Sequence, residues 1–365
     1  MGLSLGEGDA RRDAVLEQLY RDQDASRRGG LGGSAPRVAR WLGDIRSYFP
    51  TSVVQVMQRD AMERLGLRQL LLEPELLSTV QPDVALVGVL MGLTGVIPAR
   101  SRETARAVVR RVVEDLERRL SARTRQAITG ALNRAARTSR PRPADIDWNR
   151  TILANLSRYQ PEYRTVIPER LVGYGRRTQQ VQRHVVLCID QSGSMASSIV
   201  YASVFGAVMA SLRAVDTRLV VFDTSVVDLT DQVDDPVDVL FGVQLGGGTD
   251  IAGALGYCKQ VITRPRETIL VLISDLYEGG VREELLRRAA SFVDAGVQMI
   301  ALLALSDDGA PAYDHENAAA LAELGVPAFA CTPDLFPELM AAAIERRDID
   351  QWAAASGIVT TATER

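Results

Sequence analysis

At 365 residues the chain is longer than a single hydrophobic core usually serves, so two domains are expected. Its composition, 46% hydrophobic and 24% charged, is that of an ordinary soluble globular protein and excludes a disordered or fibrous chain. The net charge of −4 conceals an asymmetry, because residues 1–180 carry +10 and residues 181–365 carry −14, which points to separate modules with different surfaces.

Residues 1–34 are polar and end in a Gly-rich run, so they are expected to form a flexible N-terminus with one short helix at Asp13–Tyr20. Met1–Arg12 has neither a basic n-region nor an apolar h-region, so no signal peptide is expected. From residue 35 to 136 the apolar spacing is helical: Val38, Trp41, Leu42 and Ile45 fall at i, i+3, i+4 and i+7. Further helices are predicted at Ser52–Leu65, Arg68–Leu77, Val84–Leu93 and Arg102–Leu120, giving an all-α helical domain of about five helices.

Arg137–Pro143 breaks this pattern, and residues 137–182 read as a linker followed by a connector of mixed aromatic and basic character. Residues 183–346 alternate short apolar runs with helical patterns. Val185–Ile189, Leu219–Phe222, Thr268–Ile273, Met299–Leu305 and Ala328–Cys331 are expected as strands buried on both faces. Val226–Leu229 is expected as an antiparallel edge strand, with helices at Ser197–Arg213, Ile251–Ile262, Arg282–Ala295, Glu316–Leu324 and Leu335–Arg346. Strand and helix in alternation imply an α/β, doubly wound, mostly parallel sheet, and residues 347–365 are left as a C-terminal tail.

Two uncharged stretches need weighing against a membrane. Gln191–Leu212 holds six serines, and Val84–Ala99 is broken by three glycines and Pro98, so neither reads as a transmembrane span. Cys188, Cys258 and Cys331 show no CxxC spacing and read as reduced core residues of a cytoplasmic protein.

The chemistry concentrates at predicted strand ends. Asp190-Gln191-Ser192-Gly193-Ser194 follows the run Val185–Ile189, so a carboxylate and two hydroxyls project from one tight turn. Gly246-Gly247-Gly248-Thr249-Asp250 offers a threonine hydroxyl from a loop, and Ser274-Asp275 closes the run Thr268–Ile273 with a second carboxylate. Oxygen ligands of this kind suit a hard divalent cation such as Mg²⁺ or Mn²⁺. Any one fragment is ordinary turn and cap chemistry, but three in order at strand ends coincide with where α/β sheets bind ligands.

DxSxS with a later Thr and a later strand-terminal Asp resembles the metal-ion-dependent adhesion site of von Willebrand factor A (VWA) domains, a Rossmann-like fold. Preceding segments, Trp148-Asn149-Arg150-Thr151-Ile152 and Ile167-Pro168-Glu169-Arg170, with Phe222-Asp223-Thr224 beyond, are similar to bacterial CoxE-like VWA proteins. The resemblance implies that Ser192 and Ser194 ligate the metal directly, Thr249 directly or through water, and Asp190 and Asp275 mostly through water. It implies a protein partner that supplies an acidic residue as the last ligand, a MoxR-type AAA+ ATPase and its client among the expected ones. Tyr277 and Glu278, just after Asp275, are expected at the partner-binding rim.

Two other readings compete. An arginine-rich stretch at residues 99–142 allows an RNA-binding role similar to the helical-plus-VWA Ro ribonucleoprotein, but Glu103, Glu114, Asp115 and Glu117 interrupt it and no aromatic platform accompanies it. A metal-dependent hydrolase needs a base beside the metal, for which only His315, with Asp223 as an acidic neighbour, is placed; His184 precedes the first core strand at its far end. No catalytic residue is assigned and no nucleotide-binding motif is present, since Gly246-Gly247-Gly248 is not followed by lysine.

Overall fold

A computed structural model describes residues 12–13, 16, 35–64, 77, 80–135, 137–138, 146–174, 183–243, 247–307, 312–358 and 360. The expected helices at Asp13–Tyr20 and Arg68–Leu77, and residues 139–145 of the expected linker, lie largely or wholly outside them. In chain order the first half contains α1 (Ala35–Tyr48), α2 (Thr51–Arg64), α3 (Val84–Gly92), α4 (Ala99–Ala135), β1 (Arg137–Thr138), α5 (Trp148–Ala154), β2 (Tyr159–Gln160), β3 (Thr165–Val166) and β4 (Gly173–Tyr174). The second half contains β5 (Arg183–Asp190), α6 (Ala196–Ala210), β6 (Val215–Phe222), β7 (Val226–Asp228), α7 (Pro236–Gly242), α8 (Ile251–Val261) and β8 (Thr268–Ile273). It closes with α9 (Arg282–Ala295), β9 (Gln298–Leu305), α10 (His315–Glu323), β10 (Ala328–Cys331), α11 (Phe336–Ile344) and α12 (Ile349–Ala355).

Two compact units make up the chain: Met1–Leu116 with Pro236–Gly246, and Glu117–Asp235 with Gly247–Arg365. In the first, Val38, Trp41, Leu42 and Ile45 of α1 are buried, as their spacing predicts. Helix α4 continues 15 residues past the expected end at Leu120. The reason is a second stripe, Leu120, Thr124, Ile128 and Ala131, in which a buried threonine breaks the apolar signal; its hydroxyl donates to the Leu120 carbonyl at 2.7 Å. Helix α7 has no counterpart in the sequence reading, its seven residues being too few for a periodic pattern. There Arg106 lies over the Phe241 ring at 5.0 Å and pairs with Asp238.

The second unit is built on a six-stranded sheet in the order β10-β9-β8-β5-β6-β7. Every pairing is parallel except that of the edge strand β7, which runs antiparallel to β6. Continuous burial along β5, β8 and β9 reflects helices on both faces. Val186, Cys188, Val220, Phe222, Leu270 and Leu272 pack with α8, α9 and α10 on one face. On the other, Gly206 of α6 lies against Leu187 and Leu219, and Phe205 meets Phe336 of α11 with ring centroids 4.5 Å apart. This is the doubly wound, mostly parallel α/β sheet expected, preceded by a helical region.

Strand β6 begins four residues before the predicted Leu219, because Asp216 and Arg218 interrupt the apolar run at the sheet's amino edge. Residues 347–365, read as a tail, contain α12, whose Trp352 is buried with its ring 6.3 Å from that of Phe329. Gly193–Ala210 is apolar and long enough to cross a membrane, but most of it is buried within this unit. All three cysteines are free and buried, and burial pushes the Cys331 thiol up to about 12.

Candidate metal centre

The strand order places β5 beside β8, although the chain passes through β6 and β7 between them. The order of the sheet reverses between these two strands, and the carboxyl ends at such a reversal are the position where sheets of this kind receive ligands. Ile189 pairs with Ile273, so Asp190 and Ser274 leave their strands side by side.

Asp190 is fully buried. One carboxylate oxygen, Oδ1, accepts the Ser192 amide at 2.8 Å, closing the turn, and Oδ2 accepts the Ser274 hydroxyl at 2.8 Å. A 3₁₀ turn, Gly193–Met195, then leads into α6. It leaves Ser192 Oγ and Ser194 Oγ 3.1 Å apart, with Ser194 Oγ donating to Asp275 Oδ2 at 2.6 Å. Three of the five expected ligands, Ser192, Ser194 and Asp275, therefore form one connected oxygen cluster, to which Asp190 is tied through the Ser192 amide.

Thr249 is tied in through its backbone. Asp250 N donates to the Asp223 carbonyl at 2.8 Å, while the Thr249 carbonyl accepts from Gly279 N at 2.7 Å. The loop is thus pinned between the end of β6 and the segment after Asp275. Gly247 has φ of +111°, a conformation closed to most L-residues, and its α-carbon faces the Asp223 carboxylate, which itself accepts from Ser225 N and Oγ. Asp223 serves as a loop anchor here.

Leu276, directly after Asp275, has φ of +64° although it is a bulky residue. Its amide donates to Ser274 Oγ at 3.0 Å, its carbonyl accepts from Asn317 Nδ2 at 3.0 Å, and its side chain is buried in the core. These contacts hold a conformation that costs about 1–3 kcal/mol and turn the following residues outward. Tyr277 is half exposed. Glu278 faces the other way: its carboxylate accepts from Ala252 N at 3.0 Å at the start of α8 and from Gly280 N at 2.7 Å. Burial raises its pKa above the ordinary value, with those two amides working against the rise.

Ser274 and Asn317 are the supporting residues that sequence reasoning missed. Ser274 sits in the motif but looks like a strand-end polar residue, and Asn317 looks like a third helical residue behind the Asp314 cap. Only the fold brings them to Asp190 and Leu276.

Burial raises Asp190 from the usual carboxylate range to about 6; hydrogen bonds from Ser192 and Ser274 oppose the rise and the charge of Asp275 adds to it. Among the described residues no group of three or more His, Cys, Asp and Glu side chains gathers to hold a metal ion, so a cation here would need the hydroxyls as well as the carboxylates. The donors are hydroxyls and two carboxylates, a set that fits Mg²⁺ or Mn²⁺; neighbouring oxygens around such an ion at ~2.1 Å lie about 3 Å apart.

The histidines lie elsewhere. His184 is the second residue of β5, six residues before Asp190 and so roughly 20 Å from it along the strand, with Nδ1 2.8 Å from Asp216 Oδ2. His315 is exposed at the start of α10, with its ring centroid 4.1 Å from that of Tyr313 and the two planes tilted by 45°.

Residues 120–340 match the family described as VWA domain containing CoxE-like protein. The chain is 36% identical over 327 residues to the Escherichia coli (strain K12) protein YehP, described as uncharacterized, covering 88% of this chain and 86% of that one. Among solved structures it is similar to an aerotolerance-related membrane protein from Bacteroides fragilis (16% identity, 46% of this chain and 99% of that one, TM-score 0.33). It is also similar to a von Willebrand factor type A protein from Catenulispora acidiphila (13% identity, 45% of this chain and 42% of that one, TM-score 0.35).

Proposed function

Since the chain belongs to the CoxE-like family of VWA-domain proteins, we propose that it is a metal-dependent protein-binding module, an adaptor for a MoxR-type AAA+ ATPase in assembly or maturation of a client complex. The carrying observation is the oxygen cluster of Ser192, Ser194 and Asp275 at the carboxyl edge of the sheet, backed by buried Asp190. In this reading Ser192, Ser194 and Thr249 hold Mg²⁺ or Mn²⁺ by their hydroxyls, and Asp190 and Asp275 act through water. When bound, the cation supplies an electrophilic position that accepts a carboxylate oxygen from the partner. Keeping anionic donors one shell away preserves that electrophilicity. Tyr277 offers an aromatic anchor beside it, whereas Glu278 stabilises the loop. The module works in the cytoplasm, without a reaction of its own.

Thr249→Ala and Tyr277→Ala each weaken capture of the ATPase, and EDTA does the same to the wild type. Co-purification with and without Mg²⁺, with the bound proteins identified by mass spectrometry, reads this out. Capture that is indifferent to both EDTA and Thr249→Ala moves the interface off this face.

The loop contact gives a second handle. A Cβ on Gly279 would stand 2.7 Å from the Thr249 carbonyl oxygen, a backbone atom that cannot step aside alone. Gly279→Ala is expected to push the Thr249 loop away and lower Mg²⁺ affinity about 10-fold, the usual scale for a disturbed supporting contact. Calorimetric titration checks it, and unchanged affinity separates Thr249 from the metal.

A further inference from the structure

Asn317 is a polar side chain placed where apolar ones belong. It stands on the first turn of α10 and is 2% exposed, yet both of its polar atoms are engaged. Nδ2 donates to the Leu276 carbonyl at 3.0 Å and to Asp314 Oδ2 at 3.1 Å, while Oδ1 accepts from Arg282 Nε at 2.8 Å. Two acceptors on one side and a cationic donor on the other admit a single orientation of the amide, so Arg282 decides that the NH₂ group faces Leu276. Arg282 is itself out of place by local rules. It opens α9, the end whose dipole disfavours a cation, whereas Glu283 and Glu284 behind it suit that end. Its second contact, from Nη2 to the Glu316 carbonyl at 3.3 Å, again ties α9 to the start of α10.

The cap of α10 is opened in the same direction. In a reciprocal cap the third helical residue's side chain accepts from the capping residue's own amide. Here the Asp314 carboxylate accepts the Asn317 amide at 2.9 Å, but Asp314 N donates instead to the Asp275 carbonyl at 2.9 Å and the Asn317 side chain turns to Leu276. One helix start thereby holds the carbonyls on either side of the Leu276 α-carbon, where φ is +64°. We propose that Arg282 and Asn317 are positioning residues of the metal centre: they lock the Asp275–Leu276 turn in the conformation that presents the Asp275 carboxylate to the cation. This rests on the metal-binding reading above. Without the Asn317 amide, Leu276 relaxes toward the negative φ that a bulky residue favours, and the carboxylate that meets Ser194 Oγ at 2.6 Å shifts with it.

The test is calorimetric titration of Mg²⁺ into the full chain, with a thermal melt in EDTA for each variant. Asn317→Asp keeps an oxygen for Arg282 and removes the donor to Leu276. By charge alone an added carboxylate beside the site tightens cation binding, and loss of the Arg282 charge does the same. The lock predicts the opposite sign: affinity falls about 10-fold or more in Asn317→Asp, the scale on which outer-shell partners act, and about 3-fold or more in Arg282→Gln. Arg287→Gln, on the same helix and 75% exposed beside Glu284, removes a charge without touching the turn and leaves the affinity unchanged or slightly tighter. Unchanged or tighter binding in Asn317→Asp overturns the proposal and leaves the metal reading standing, whereas a wild type that binds no Mg²⁺ sinks both. An Asn317→Asp chain that fails to fold hands the decision to Arg282→Gln, at an exposed position, where wild-type affinity overturns the proposal as well. So does an equal fall in Arg287→Gln.

Discussion

Ser194→Ala is expected to lower Mg²⁺ affinity at least 100-fold and leave the fold intact. Its hydroxyl is the hub of the cluster, 3.1 Å from Ser192 Oγ and 2.6 Å from Asp275 Oδ2, so a methyl group removes a donor and unlinks the two strand ends. The side chain is exposed, so little stability is at stake; the lost hydrogen bond is worth about 1 kcal/mol. Calorimetric titration with Mg²⁺ and Mn²⁺, beside a thermal melt in EDTA, separates the two quantities. Wild-type affinity in the variant removes Ser194 from the metal centre and with it the reading of the DxSxS turn.

Asp190→Asn is expected to stabilise the metal-free protein at pH 7 by about 2–3 kcal/mol, because a carboxylate raised from 3.8 to about 6 carries roughly 1.4 kcal/mol per unit. Between those two values the folded state holds a proton that the unfolded state has released. Wild-type stability from this group therefore falls as pH rises through that window and reaches its low plateau above about 6. The variant has no such charge, so the difference is absent below about pH 4, grows toward 6 and then stays constant. Asparagine can still accept the Ser192 amide, whereas alanine would strand that amide and the Ser274 hydroxyl at about 1–3 kcal/mol each. Melting temperatures from pH 4 to 8 in EDTA check the prediction, and parallel curves for the two proteins refute it. Added Mg²⁺ is expected to raise the melting temperature of the wild type alone, since a cation offsets the charge that burial penalises.

These effects come from a residue whose type was legible and whose environment was not. Asp190 stands out as the first residue after an apolar strand, but a sequence places it in a surface turn. The structure buries it, and its partner Ser274 is 84 residues away. Glu278 follows the same logic. As a charged residue after Asp275 it reads as a rim contact, yet the start of α8 claims its carboxylate.

Sequence by itself determined the alternation of strand and helix, the edge position of the strand read as Val226–Leu229 and the order of the motif pieces along the chain. Each of these rests on a repeat or turn signal carried by neighbouring residues. Tertiary structure alone decided the length of α4, where a buried Thr124 hides the second stripe, and the existence of α7, too short to show a period. It also decided the outward apolar face of α5. A helix's periodicity shows that it has two faces, but which one is buried depends on the partners offered, and here the backbone of residues 169–172 offered hydrogen bonds to Thr151 and Asn155. Burial and pairing are properties of residues brought together across tens of positions, so no local window of the sequence contains them.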